Sequence, residues 1–240
     1  MTPAQEVVNQ TKANFLFVEG GSFMMGIEGF REDTKPYQVT LSSYAISKYE
    51  TTFKEYDVYH NIIGKEIVGK DMRGVIKDYG ENYGVKRVTW QEARNYCQWL
   101  GKQLNLPIDL PTEAQWEYAA RSRGKIVEHA TNNGKIEGSY TEKRNYNGSK
   151  VRVGVFPPNP LGLYDMSGGR PEWVLDWYAW YSKEPKTNPI QDTIQYSDSK
   201  VVRGLHKLRY SVYTRVKRKP DNNGTGIGFR CVCNQETPVQ

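Results

Sequence analysis

The chain is poor in the residues that usually announce metal or redox chemistry: its 240 residues include three cysteines and three histidines. His60, His129 and His206 stand far apart, and a lone histidine is more often a surface or core residue than a ligand, so histidine-held iron is not expected. The spacing of Cys97, Cys231 and Cys233 is neither that of a disulfide framework nor that of a zinc site. Cys231 and Cys233 alternate with Val232, so in a strand they share one face about 6.5–7 Å apart, poor geometry for a bond between them. Cys97 falls in a helical pattern and reads as a buried thiol; a pairing of Cys97 with Cys231 or Cys233 is left open. No apolar run reaches the roughly 18 residues that a membrane-spanning helix needs. No signal peptide is visible either, and Met1-Thr2-Pro3-Ala4-Gln5-Glu6 reads equally as a cytosolic start or as one replacing a removed signal.

What the chain has is rings and positive charge. Aromatic residues make up 12%, with 17 Tyr and 6 Trp, which predicts many half-buried rings with a polar edge kept wet. The formal net charge of +6 favours acidic partners. The densest basic run, Arg215, Lys217, Arg218 and Lys219, alternates with apolar residues as the solvated face of a strand would. With no nucleic-acid module readable, nucleic acid is not an expected partner.

Residues 1–14 are weakly patterned and read as a loose leader, 15–233 as one domain and 234–240 as a tail. Phe15–Val18, a Gly20-Gly21 turn and Ser22–Gly26 predict a hairpin; Tyr37–Ser47 predicts one further strand and Thr51–Ile63 a helix. Two capping boxes stand out. Thr89 with Glu92 opens a helix to about Leu104, and Thr112 with Gln115 opens another behind Pro111. From Ser122 onward Gly and Pro punctuate a long loop-rich region, whose backbone must be held by side-chain hydrogen bonds or bound cations. Val201–Gly204, Tyr210–Lys219 and Gly228–Cys233 predict the closing strands, and Pro220–Gly224 a turn.

In order, FVEGGSFMMG, LSSYAISKYETT, VTWQEARNYCQWL, LPTEAQWEYAAR, FPPNPLGLYDMSGG and GIGFRCV resemble the formylglycine-generating enzyme, or sulfatase-modifying factor, family over about residues 15 to 233. The resemblance implies an α+β, C-type-lectin-like fold with little regular structure, two main helices and long ordered loops. It also implies enzymes that oxidise a sulfatase cysteine with a copper-binding cysteine pair placed after a Gly-Gly-Ser turn. Here that turn reads Arg203-Gly204-Leu205-His206, and no cysteine lies between Gly204 and Arg230. A soft thiolate pair is what holds copper(I), so copper is not expected. Cys231 and Cys233 fall on the closing strand, where the family often has a core cysteine. The iron-dependent branch of the family carries its histidines partly on an extra helical domain, which the sequence does not show.

The family's calcium-wrapping Gly-Asn-Val-Trp-Glu-Trp segment is replaced by Gly168-Gly169-Arg170-Pro171-Glu172-Trp173. By resemblance, calcium ligands would be the side chains of Asp165 and Glu172 and the carbonyls of Gly168 and Arg170; the competing reading pairs Glu172 with an arginine. Glu113, Trp116 and Glu117, on a capped helix, read as core and surface contacts. Trp173 and Trp177 are expected in the core, and Tyr178, Trp180 and Tyr181 at the surface. His206, Lys207, Arg209 and Tyr210, with Arg215, stand where the family's catalytic groove lies, and an Arg/Tyr-rich surface suits protein binding. The reading is a non-catalytic domain that binds another, acidic protein: an inhibitor, immunity or adaptor protein of a bacterial envelope or secretion system, in the periplasm or envelope rather than the cytoplasm. The alternative is a metal-dependent oxidase of the same family acting on a peptide or thiol.

Overall fold

The structure, a computed structural model, describes residues 2–70, 80–136, 152–204, 211–224 and 226–239. Helices open where the sequence can satisfy their first N–H groups. In α3 (Trp90–Leu104) the Thr89 hydroxyl accepts from Glu92 N at 3.2 Å and the Glu92 carboxylate accepts from Thr89 N at 2.9 Å. Asn105, in the left-handed region at φ 52°, ends it. Thr112 and Gln115 exchange the same pair of bonds at the start of α4 (Glu113–Ala120), as do Thr52 and Glu55 for α2 (Phe53–Ile62). The expected loose leader is instead α1 (Pro3–Ala13), capped by Thr2. Its short apolar stripe, Val7, Val8 and the methyl-bearing Thr11, is buried, and the Thr11 hydroxyl donates to the Glu55 carboxylate of α2 at 2.8 Å.

Among the described residues, three small sheets carry the rest. The first has the order β1 (Phe15–Val18), β4 (Tyr44–Ser47), β10 (Val232–Cys233), β5 (Ile108–Asp109), all antiparallel. The second pairs β2 (Gly21–Met25) with β3 (Tyr37–Leu41), and β3 with β7 (Lys186–Thr187) in parallel. The third is β6 (Glu172–Trp177), β8 (Lys200–Arg203) and β9 (Arg215–Arg218). The predicted hairpin is therefore not one: β1 and β2 both form, but they leave for different sheets. Gly20 makes this divergence possible, because a Cβ there would stand 2.3 Å from the Leu41 carbonyl. Tyr37–Ser47 is likewise two strands in two sheets, broken at Ser42-Ser43. β6, unread in the sequence, is buried from Glu172 to Asp176, so no alternation of apolar and polar residues marks it.

Cys97 of α3 and Cys231, just before β10, form a disulfide across a separation of 134 residues with their Cα atoms 5.6 Å apart. Cys97 is thus not a thiol; Cys233 is the free, buried one. The loop-rich stretch is held by side-chain hydrogen bonds. Asn159 donates to the Ala119 and Ala120 carbonyls at 2.9 and 3.2 Å, and its carbonyl accepts from Leu161 N and Leu163 N at 3.0 Å. One large core lies over α2 and α3 around Phe53, Tyr96, Leu100 and Phe229. The other surrounds α4, with Trp116, Tyr44, Leu163 and Val174.

Candidate partner-binding site

Nearly every side of α4 is buried, and that forces its two carboxylates, Glu113 and Glu117, into the interior, where charge needs partners. They find them on the third sheet. Arg203 of β8 donates to Glu113 and to Glu117, each at 2.8 Å. Arg215 of β9 donates to both oxygens of Glu113 at 2.7 Å. Arg121 donates to Glu117 at 2.7 Å and the Tyr181 hydroxyl to Glu113 at 3.2 Å. A third acid, Asp176 at the end of β6, accepts from Glu113 N at 2.7 Å and from Gln191 N at 2.9 Å. Burial, with the Glu113 carboxylate next, pushes Asp176 up to about 7. Glu113 and Glu117, expected as core and surface contacts, are both buried and tie α4 to β8 and β9.

This network corrects several surface assignments. Arg215 is buried, its guanidinium 4.3 Å from the Tyr178 ring centre and 4.6 Å from that of Tyr181. With Glu113 holding its charge, it is not the exposed contact residue expected from the sequence. Tyr178 is buried too, its hydroxyl donating to Asp33, and Tyr181 is half-buried with its hydroxyl in the network. Trp173 is in the core as expected, whereas Trp177 is half-buried. Of the three rings expected at the surface, Trp180 is the one that stands free, 59% exposed, with the Tyr196 ring 6.5 Å away. His206, Lys207, Arg209 and Tyr210 lie outside the described residues.

Trp180 stands between two hollows. On one side a cavity of about 590 Å³ has Glu113, Asp176 and Arg215 at its floor, Tyr37, Trp177 and Tyr181 in its wall, and Ile190, Tyr196, Lys183 and Lys186 at its rim. On the other, an open hollow of about 640 Å³ is bounded by Arg31, Glu32, Asp33, Tyr178, Lys217 and Arg218. A cleft of this size with aromatic walls is the usual form of a ligand site.

Of the expected calcium set, Glu172 is the member that the structure commits to another partner. Both oxygens of Glu172 accept from Arg230, at 2.7 to 3.0 Å, and one also accepts from the Trp116 indole at 2.8 Å. Glu172 is fully buried in this pairing, so its lone pairs are committed. Asp165 accepts from Gly154 N at 2.7 Å, and Arg170 N donates to the Glu50 carboxylate. Among the described residues, no three or more His, Cys, Asp or Glu gather as a metal-holding group. Glu50 is the unread member of this region: burial, with the Asp165 and Glu172 carboxylates beside it, pushes its carboxyl up to about 8.

Comparison with known proteins places these features in context. The Sulfatase-modifying factor enzyme 1-like domain matches residues 2–235. A Chlamydia pneumoniae protein named serine/threonine-protein kinase pkn1 is 29% identical over 245 residues, 91% of this chain and 38% of its own length. The mouse formylglycine-generating enzyme is 31% identical over 173 residues, 64% of this chain and 45% of its own. The chain thus spans less than half the length of these two relatives. The bovine protein named inactive C-alpha-formylglycine-generating enzyme 2 is 25% identical, covering 97% of this chain and 92% of its own. The solved structure of PvdO from Pseudomonas aeruginosa superposes with a TM-score of 0.72 at 26% identity, over 91% of this chain and 93% of its own.

Proposed function

We propose, for a chain that belongs to the sulfatase-modifying factor enzyme 1-like domain family, that this member binds another protein and does not perform the copper-dependent oxidation of formylglycine-generating enzymes. The observation that carries this reading is the state of its sulfur. A thiolate pair is needed to hold copper(I), yet Cys97 and Cys231 are bonded to each other and Cys233 stands alone on β10. Burial pushes the Cys233 thiol up, further from the thiolate form. A family fold without its chemistry has precedent in the name of the bovine inactive relative.

The binding surface in this proposal is the one around Trp180, where an exposed indole stands beside a ring-walled cavity. The disulfide supports an oxidising compartment, and we place the protein in a bacterial periplasm or envelope, as an inhibitor, immunity or adaptor protein. The test is a capture experiment from the native organism's lysate with wild-type and Trp180→Ser baits, alongside copper and iron analysis of the purified chain. A partner recovered near equal stoichiometry and lost with Trp180→Ser supports the proposal. Copper or iron at one per chain, with oxidation of a peptide thiol, would replace it with the oxidase reading.

A further inference from the structure

The cavity beside Trp180 has a charged floor whose groups are already spent on one another. Both Glu113 oxygens are taken by Arg203, Arg215 and Tyr181; both Asp176 oxygens by backbone N–H groups; Arg215 Nη1 donates to the Ala179 carbonyl at 2.7 Å. A ligand that needs hydrogen bonds from the floor, as a hydroxyl-rich sugar does, would have to share groups that already have partners inside the protein. What the cavity still offers is apolar surface: Met25, Tyr37, Ala114, Ile190 and the rings of Trp180 and Tyr196. Trp180, Ile190 and Tyr196 are 59, 46 and 69% exposed, so this surface is open to an incoming chain.

Charge recognition falls to the rims. Lys183 and Lys186 line the cavity, and Lys217 and Arg218 line the hollow on the other side of Trp180. Among the described residues none of these four makes an ion pair. The acids near them have other partners: Glu32 and Asp33 line the hollow but pair with Lys35 and Arg31, Asp198, whose charge also reaches Lys217, pairs with Lys219, and Glu184 does not line the cavity. The result is an apolar slot with an excess of positive charge on both sides, which favours and steers a partner of complementary charge.

Resting on the reading of this domain as a protein binder, we infer that its partner presents an acidic peptide segment, laid across Trp180, with large apolar side chains in the cavity and carboxylates on Lys183 and Lys186 at one end and Lys217 and Arg218 at the other. The experiment is a selection of displayed random dodecapeptides on the whole chain. Counter-selection uses the variant Trp180→Ser/Lys183→Glu/Lys217→Glu, three exposed positions whose change leaves the core intact, as a thermal melt will verify. The expected result is a set enriched in Asp and Glu flanking Leu, Phe or Trp. A synthetic peptide of that set should bind at least tenfold more weakly to Trp180→Ser, and more weakly in 500 than in 50 mM salt, at roughly the concentrations where screening acts.

A set that depends on Trp180 but is neutral or basic overturns the acidic assignment and leaves the binding role standing. Absence of any Trp180-dependent set, while a lysate partner is still retained by the variant, overturns this surface but not the protein-binding reading. Failure of both removes both. A heparin oligosaccharide bound through the lysines and indifferent to Trp180→Ser would replace the peptide by an anionic glycan.

Discussion

Glu113→Ala is the substitution from which the structure expects the largest single loss. The two oxygens of Glu113 accept from Arg203 Nη1 at 2.8 Å, from Arg215 Nε and Nη2 at 2.7 Å each, and from the Tyr181 hydroxyl at 3.2 Å. Arg203 would retain Glu117, but Arg215, 2% exposed, would keep one hydrogen-bond acceptor, the Ala179 carbonyl, with the faces of two tyrosines and the unbonded charges of Asp176 and Asp33. Stranding a buried cation in this way costs about 3–5 kcal/mol. For a chain of this size each kcal/mol lowers the melting midpoint by about 2–4 °C, so the expected fall is on the order of 12 °C. The assay is thermal unfolding followed by circular dichroism under non-reducing conditions. The partner control is Glu113→Leu combined with Arg215→Met, which removes both charges and should recover most of the loss, because a buried pair is worth little against well-packed apolar groups. The exposed pair Glu32–Lys35 supplies the contrast: Glu32→Ala should not move the midpoint measurably. A fall of less than about 3 °C for Glu113→Ala, or a double variant no better than the single, would refute the account of α4 as held by charge.

Reduction, or Cys97→Ala with Cys231→Ala, opens a loop of 134 residues and should cost up to about 5 kcal/mol by loop entropy, measured as a shift of the urea midpoint. Glu50 rises from its ordinary 4.5 to about 8 and Asp176 from 3.8 to about 7, so the folded state holds protons that the unfolded chain releases. Their contribution to stability is present below pH 4 to 4.5 and is lost as pH rises through 7 to 8. The melting midpoint should therefore decline from pH 5 to pH 8, and Glu50→Gln should flatten that decline; an equal slope in the variant would count against the assignment. With Glu172 committed to Arg230, millimolar calcium and a chelator should give the same melting curve, and a midpoint raised by calcium would reopen the site.

What was legible in the sequence is what is local. The capping boxes at Thr89 and Thr112 need residues three apart and nothing else, and the helices they open run as read. The family motifs likewise sit in the elements expected of an α+β fold of this class. Partner choice between strands is not local: β1 and β2 look like a hairpin until β4 and β3 claim them. The acid network was hidden for the same reason, since Glu113 meets Arg203 and Arg215 across separations of 90 and 102 residues. One signal was present: a helix reading EAQWEYAA has too few polar positions for a solvated face, so its glutamates had to be buried. At the surface, Trp180 was readable as exposed. Tyr178 and Tyr181 were not, because an arginine flattened between two rings leaves no pattern in the spacing of any of the three.

The bond between Cys97 and Cys231 also changes what damage does to this molecule. Any cut in the chain between them, including the long loops after α4, yields two fragments that stay tethered, with β10 still linked to α3 beside its neighbours. A protease would leave a nicked body of nearly unchanged mass and shape, seen as one band until a reductant separates it into two. Wear of this kind accumulates silently, so that a thiol, rather than the protease, decides when the worn molecule comes apart.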